Sequence, residues 1–272
     1  MRPLLLAASI LLAVGCGPAG RHDDDSRLVL FGPSLTETLF ASGAGGLVVG
    51  VDRYSNWPPE ADTLPEVGGY LDPNLEMVAS LGPTSIHSVG SSPKLADLAE
   101  TLGVPYRSWS FDTLEDALEA MAALDSIYGR GLGTAAGLED VLDSLRRSTP
   151  PATLALVVSH VPGSGSLTLA GGGTFLGGLV EAIGCTPAAT GGVAYPRVSL
   201  EGMLGMDPDL IVYLAPDRPQ PSSYTAEVVD LWAGMGIDAS RVHVLTGGYL
   251  LVPGPRMGRT ARRISECVRS SS

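Results

Sequence analysis

Lysine is nearly missing from this 272-residue chain: its 17 basic side chains are arginines apart from Lys94. No Gly-x-x-x-x-Gly-Lys-[Ser/Thr] surrounds Lys94, so the chain carries no P-loop. Positive charge is scarce as a whole. The 29 acidic residues leave a net charge of −12, which argues against nucleic-acid binding, since phosphate contacts need a basic surface. Gly-x-Ser-x-Gly, His-Glu-x-x-His and Cys-x-x-Cys do not occur, so hydrolase, zincin and thioredoxin-like chemistries have no support. The apolar run from Leu4 to Leu12 falls well short of the roughly 20 residues that span a bilayer. Low charge together with 35 glycines describes a compact globular chain rather than a disordered one. The length suits two lobes of roughly 100–150 residues.

The three cysteines differ in context. Arg2, the apolar run and Ala13-Val14-Gly15 before Cys16 form a secretory signal over residues 1–15. Cysteine directly after small residues resembles the lipobox of bacterial lipoproteins, with alanine where leucine is usual. That resemblance implies acylation of Cys16 and an exported protein anchored by lipid at the periplasmic or outer cell-membrane face. Residues 16–26, with Pro18 and Asp23-Asp24-Asp25, then read as a solvated tether. Export places Cys185 and Cys267 in an oxidising compartment, where they are expected to form a disulfide between the chain's end and the second lobe.

Leu28 to Phe31 reads as a buried strand, and Gly32-Pro33 turns it into Ser34-Leu35-Thr36-Glu37, a capping box that opens a helix. Gly43 and Gly45-Gly46 end that helix before a second strand, Leu47 to Val51. This alternation predicts βαβ units and parallel, helix-covered sheets. An internal repeat sets the larger plan. Tyr70, Asn74, Leu75, Glu76, Leu81, Pro83 and Ile86 recur 125 residues later as Tyr195, Ser199, Leu200, Glu201, Met206, Pro208 and Ile211. Leu102-Gly103-Val104 is echoed by Met235-Gly236-Ile237. One copy per half predicts two similar α/β lobes, not a solenoid. The lobes are placed at residues 27–130 and 150–272. The helical stretch Leu114 to Arg147 is broken at Gly129, Gly131 and Gly133, and residues 131–149 form a connecting helix that limits lobe motion.

A ligand cleft is expected between the lobes, beyond the carboxyl ends of the strands. Tyr54, Tyr70, Tyr195 and Tyr249 converge there in this reading, suited to stacking on a large flat ligand. Arg53, Arg197 and Arg256 are candidates to hold an anionic chelate. His87 and His160 each end a predicted strand, Thr84–Ile86 and Thr153–Ser159, on the cleft side. From there they are candidate ligands for iron or cobalt, through a bound chelate only. His22 and His243 are read as structural. Gly171-Gly172-Gly173-Thr174 before the helix Phe175–Ile183 lacks P-loop spacing and reads as a tight cleft-side turn.

The run Val51-Asp52-Arg53-Tyr54-Ser55-Asn56-Trp57-Pro58-Pro59-Glu60 and the segment Val67 to Glu76 resemble the helical-backbone substrate-binding proteins of ABC importers. These carry cobalamin, ferric siderophores or haem to a membrane permease. Tyr195 to Glu201 and Tyr249 to Arg256 are similar to the family's C-terminal motifs, and the resemblance spans about residues 27–268. It implies that Glu76 and Glu201 dock into arginine-lined pockets of the permease subunits. In the cobalamin-binding members, aromatic residues matching Tyr54, Tyr70 and Tyr195 line the cleft. Gly248 and Val252 depart from an acid and an arginine expected near Tyr249. The implied protein is a monomer without intrinsic cofactor that delivers a metal chelate, a corrinoid in the favoured reading, to a permease with its own ATPase. The alternatives are a ferric siderophore or haem in the same role, and, in a different class, a tetrapyrrole-metal chelatase. That enzyme needs a cleft histidine with an acid partner, and no nearby motif supplies the acid.

Overall fold

The computed structural model describes residues 25–160, 165–216 and 221–271. The expected signal peptide, Cys16, His22 and most of the expected tether lie outside the described residues.

Strand β1 (Leu28–Phe31) leads through Gly32 into helix α1 (Pro33–Ala41), followed by β2 (Val48–Val51), α2 (Leu75–Ser80), β3 (Ser85–Val89), α3 (Pro93–Leu102) and β4 (Tyr106–Trp109). These strands make a parallel four-stranded sheet in the order β2-β1-β3-β4. Two helices follow, α4 (Leu114–Ile127) and α5 (Thr134–Arg146). The second half continues with β5 (Thr153–His160), β6 (Ser166–Leu169), α6 (Phe175–Ala182), β7 (Thr186–Pro187), β8 (Arg197–Ser199), α7 (Leu200–Met206), β9 (Leu210–Leu214), α8 (Pro221–Gly234), β10 (Val242–Leu245) and α9 (Met257–Ser271). In its sheet β7, β9 and β10 are parallel to their neighbours in the order β7-β5-β9-β10, which repeats the order of the first sheet. The central strands are thus parallel, as expected, and the added pairs β5–β6 and β6–β8 are antiparallel and extend the sheet outward.

The duplication extends to the caps. Asn74 Oδ1 accepts from Met77 N and Ser199 Oγ from Gly202 N, both at 3.0 Å, which satisfies one free donor at the start of α2 and of α7. Gly103 and Gly236 end α3 and α8 at φ 68° and 85°. In each the next residue donates back into the last turn, Val104 N to Ala99 O and Ile237 N to Trp232 O. Left-handed backbone at that position favours glycine.

Alternate residues of the central strands serve different cores. Leu28 and Leu30 face one cluster with Leu154, Leu156, Leu210 and Val212, while Val29 and Phe31 face α2 and α3. Ala155, Val157, Ile211 and Tyr213 pack under α7 and α8. The first of these clusters also takes in Leu35, Leu124, Leu138, Leu142, Leu176, Ile264 and Val268. Helices α1, α4, α5, α6 and α9 therefore share one core with an inner face of each sheet. Gly178 on α6 lies so near α4 that a Cβ there would meet Leu114 Cβ at 2.7 Å.

Two local expectations change. Helix α1 begins at Gly32 without a side-chain cap, and Glu37 is buried rather than folded back on the first turn. Cys185 and Cys267 are free, buried thiols, not a disulfide. Each behaves as a small apolar residue of the shared core. Cys185 Sγ points to Pro150 O at 3.6 Å, and Cys267 lies on the buried face of α9 beside Ile264 and Val268. Burial raises both thiols, Cys267 to about 11, which keeps them protonated and unreactive.

Candidate functional site

The loop after β2 is held from below. Asp52 is buried, and its carboxylate accepts hydrogen bonds from the Ser55 hydroxyl and the Gly32 backbone. Thr36 Oγ1 donates to Ser55 Oγ at 3.0 Å, tying the loop to α1. Burial raises the Asp52 carboxyl above its usual range against the pull of these bonds. So anchored, the loop presents Tyr54 outward at 63% exposure. Its neighbour Arg53 is committed: the guanidinium meets Asp72 Oδ2 at 2.8 Å, with Glu66 at 3.8 Å. Tyr70 donates its hydroxyl to Ser91 O at 2.5 Å and so holds the turn between β3 and α3.

Tyr195, 45% exposed, comes from the other half. Ala194 O accepts from Gly171 N at 2.8 Å and Pro196 O from Leu169 N at 3.0 Å, fixing the tyrosine's backbone beside the glycine-rich turn. A Cβ on Gly171 would lie 2.9 Å from Val193 O, and one on Gly177 2.1 Å from Gly171 O. The turn's glycines thus serve close backbone approach. Thr174 caps α6 by accepting from Gly177 N at 3.0 Å. The first N–H of that helix, on Phe175, goes to Asp112 O in the loop after β4 at 2.8 Å. That bond joins the two halves at the strands' carboxyl edge. Burial and the nearby Asp112 carboxylate raise the Tyr195 phenol.

The other predicted residues are placed differently. Tyr249 is 4% exposed, its ring under the guanidiniums of Arg259 at 4.3 Å and Arg256 at 5.9 Å. Arg256 forms a two-pronged pair with Glu37, Nε to Oε2 at 2.8 Å and Nη2 to Oε1 at 2.5 Å, and stacks on Trp57 at 4.9 Å. This clasp floors a 540 Å³ pocket with Phe40, Trp57, Pro58 and Glu60, on the flank of the first lobe. Arg197 is exposed and reaches Ser166 Oγ at 3.3 Å.

His87 sits in mid-strand, because β3 runs on to Val89, and its side chain is fully buried. Trp109 Nε1 donates to His87 Nδ1 at 3.0 Å, which leaves the proton on Nε2, facing Ser85 Oγ at 3.0 Å and the Tyr128 hydroxyl at 3.2 Å. Burial, aided by Arg107, lowers its pKa to about 3. A neutral ring enclosed in this way is a core residue, not a metal ligand in a cleft. His160 ends β5 edge-on to Tyr213 and lines a 370 Å³ pocket with Leu200, Tyr224 and Glu227 on the α8 side of its sheet. Among the described residues no group of three His, Cys, Asp or Glu side chains could hold a metal ion.

Glu76 and Glu201 are both exposed in the first turns of α2 and α7, with the apolar side chains of Leu75 and Met77 exposed on either side of Glu76 in the sequence. Among the described residues no helix is long and apolar enough to cross a membrane. Sequence reasoning passed over Asp52, Asp112 and the partnership of Glu37 with Arg256. The first two looked like ordinary loop acids. Glu37 matched a local capping pattern that hid a partner 219 residues away.

A model of the periplasmic binding protein family matches residues 28–229. A vitamin B12-binding protein of Vibrio cholerae serotype O1 is 29% identical over 193 residues, covering 68% of this chain and 69% of that protein. A solved periplasmic vitamin B12 binding protein of Vibrio cholerae superposes with a TM-score of 0.73 at 23% identity, over 90% of this chain and 97% of that one. A periplasmic heme binding protein of the same organism gives 0.75 at 20% identity, over 89% and 98%.

Proposed function

Because the chain belongs to the periplasmic binding protein family, we propose that it is the substrate-binding component of an ABC importer that captures a metal chelate, with a corrinoid as the favoured cargo. One observation carries this reading: Tyr54 and Tyr195, one from each half, stand exposed on anchored loops, the first after β2 and the second beside the glycine-rich turn before α6. Aromatic rings on fixed loops offer a large stacking area at little ordering cost, as a flat macrocycle requires. The vitamin B12-binding relative of Vibrio cholerae favours a corrinoid among such ligands. Binding is non-covalent and the metal arrives within its chelate. Glu76 and Glu201, repeated with the lobes and exposed on capped helices, are the contacts for the two permease subunits. ATP hydrolysis belongs to those partners. Acylation at Cys16 keeps the protein beside them at the membrane.

Titration of the purified protein with cyanocobalamin, haemin and a ferric siderophore, read by calorimetry and absorbance, tests the assignment. Saturable binding of cyanocobalamin below about 10 μM, near −7 kcal/mol, is the expected result. Absence of binding by all three ligands at that level would overturn it.

A further inference from the structure

We infer that Asp112 is the residue that selects the cargo by charge, admitting a chelate rimmed by neutral amides and turning away one rimmed by carboxylates. This rests on the proposed chelate-binding role and names the substrate class for that same cleft.

The position follows from a chain of hydrogen bonds. Asp112 O accepts from Phe175 N at 2.8 Å, Gly171 O accepts from Thr174 N at 3.1 Å, and Ala194 O accepts from Gly171 N at 2.8 Å. Asp112 and the exposed Tyr195 are thereby fixed to the same turn, one on each side of the seam. The shift of the Tyr195 phenol through the Asp112 carboxylate agrees with this closeness. The main chain of Asp112 is fixed by the Phe175 bond, while its side chain is exposed. Its carboxylate meets no cation in the ion pairs found among the described residues.

Two of the three candidate arginines are paired with acids of their own. Arg53 is covered by Asp72 and Glu66, and Arg256 by Glu37. The third, Arg197, reaches Ser166 Oγ at 3.3 Å on the neighbouring strand β6, so an anionic rim brought to the Asp112 side of Tyr195 meets like charge, which is unfavourable at a binding contact. A peripheral amide instead donates an N–H to the same carboxylate.

The experiment measures Kd of the wild-type chain, Asp112→Asn and Asp112→Arg for cyanocobalamin, whose corrin rim carries amides, and for haemin, which carries two propionates. Asp112→Asn keeps the backbone carbonyl for Phe175 and the side-chain shape. The wild type should prefer cyanocobalamin. In Asp112→Asn the preference should fall by about tenfold, chiefly through tighter haemin binding, and Asp112→Arg should lower it further. Circular dichroism and melting temperature confirm that each variant is folded. A wild-type preference for haemin, or an unchanged ratio in both folded variants, overturns the role of Asp112 while leaving the chelate-binding reading intact. Failure of the wild type to bind either ligand overturns both.

Discussion

Replacing Arg256 by methionine isolates the most consequential long-range contact of the chain. Glu37 is 3% exposed by its side chain and receives both prongs of the Arg256 guanidinium. Without that partner the carboxylate remains in the protein interior. Breaking a buried pair from one side costs about 3–5 kcal/mol, and the 20% exposure of Arg256 argues for the lower end, about 3 kcal/mol. At about 2–4 °C per kcal/mol for a chain of this size, the melting temperature should fall by about 6–12 °C. The loss also depends on pH. Burial raises the Glu37 carboxyl above 4.5, and the hydrogen bond and charge of Arg256 lower it again. Removing Arg256 deletes both lowering contributions, so the carboxyl rises further. A folded state that holds a proton the unfolded chain releases loses stability as pH rises through the folded value. The deficit of Arg256→Met should therefore be largest near neutral pH and shrink towards pH 4.5.

Urea unfolding of the wild type and Arg256→Met at pH 5 and pH 7.5 reads this directly. Adding Glu37→Gln removes the stranded charge and should recover most of the loss at pH 7.5, as replacing a whole buried pair often does. A deficit under about 1 kcal/mol would place Glu37 in water. A deficit equal at both pH values, or a double variant no better than the single one, would refute the reasoning about the stranded carboxylate.

Two further outcomes are expected. Changing Glu76 and Glu201 together to alanine should leave Kd for cyanocobalamin within about twofold but sharply lower uptake by cells carrying the permease; undiminished uptake would remove the docking role. The His87 ring, with its pKa near 3, should show no titration by NMR between pH 7.5 and 4.5. The unfolded chain takes up that proton below about 6.5, so His87 withdraws stability as pH falls, opposite in sign to Glu37, and a midpoint near 6.5 in the folded protein would show the ring to be accessible.

The duplicated plan was legible because it lies in local signals. Asn74 and Ser199 cap helices, and Gly103 and Gly236 end them in left-handed backbone, each by forces acting within one turn. Strands β1, β5 and β9 were legible as unbroken apolar runs because both faces of each are covered. The misplaced residues depend on contacts distant in sequence. Glu37 satisfies a capping pattern three residues after Ser34, yet Arg256 draws it inward from across the chain. His87 looks like a strand end until β4 pairs beside it and Trp109 donates to its Nδ1. Cys185 and Cys267 looked like a bridge because an oxidising compartment permits one, but permission from solvent chemistry does not bring two sulfurs together.

The shared core bears on how such a cleft can choose its cargo. Swinging the lobes widely apart would expose residues at the common helix layer, among them Leu124, Leu138, Leu176 and Ile264. Four such side chains leaving the interior cost about 6–12 kcal/mol at 1.5–3 kcal/mol each, comparable to the whole stability of a typical domain. The Asp112–Phe175 bond at the seam adds a further tie at the cleft edge. Recognition by wide closure around the ligand is therefore disfavoured, and discrimination falls to groups already standing at the opening. On the proposed reading, Tyr54 and Tyr195 are stacking surfaces that take any large flat ligand. Discrimination among flat chelates must then come from fixed charge beside those rings. On that reading, with Arg53 paired with acids and Arg256 turned to Glu37, Asp112 is the anion beside Tyr195 that supplies it.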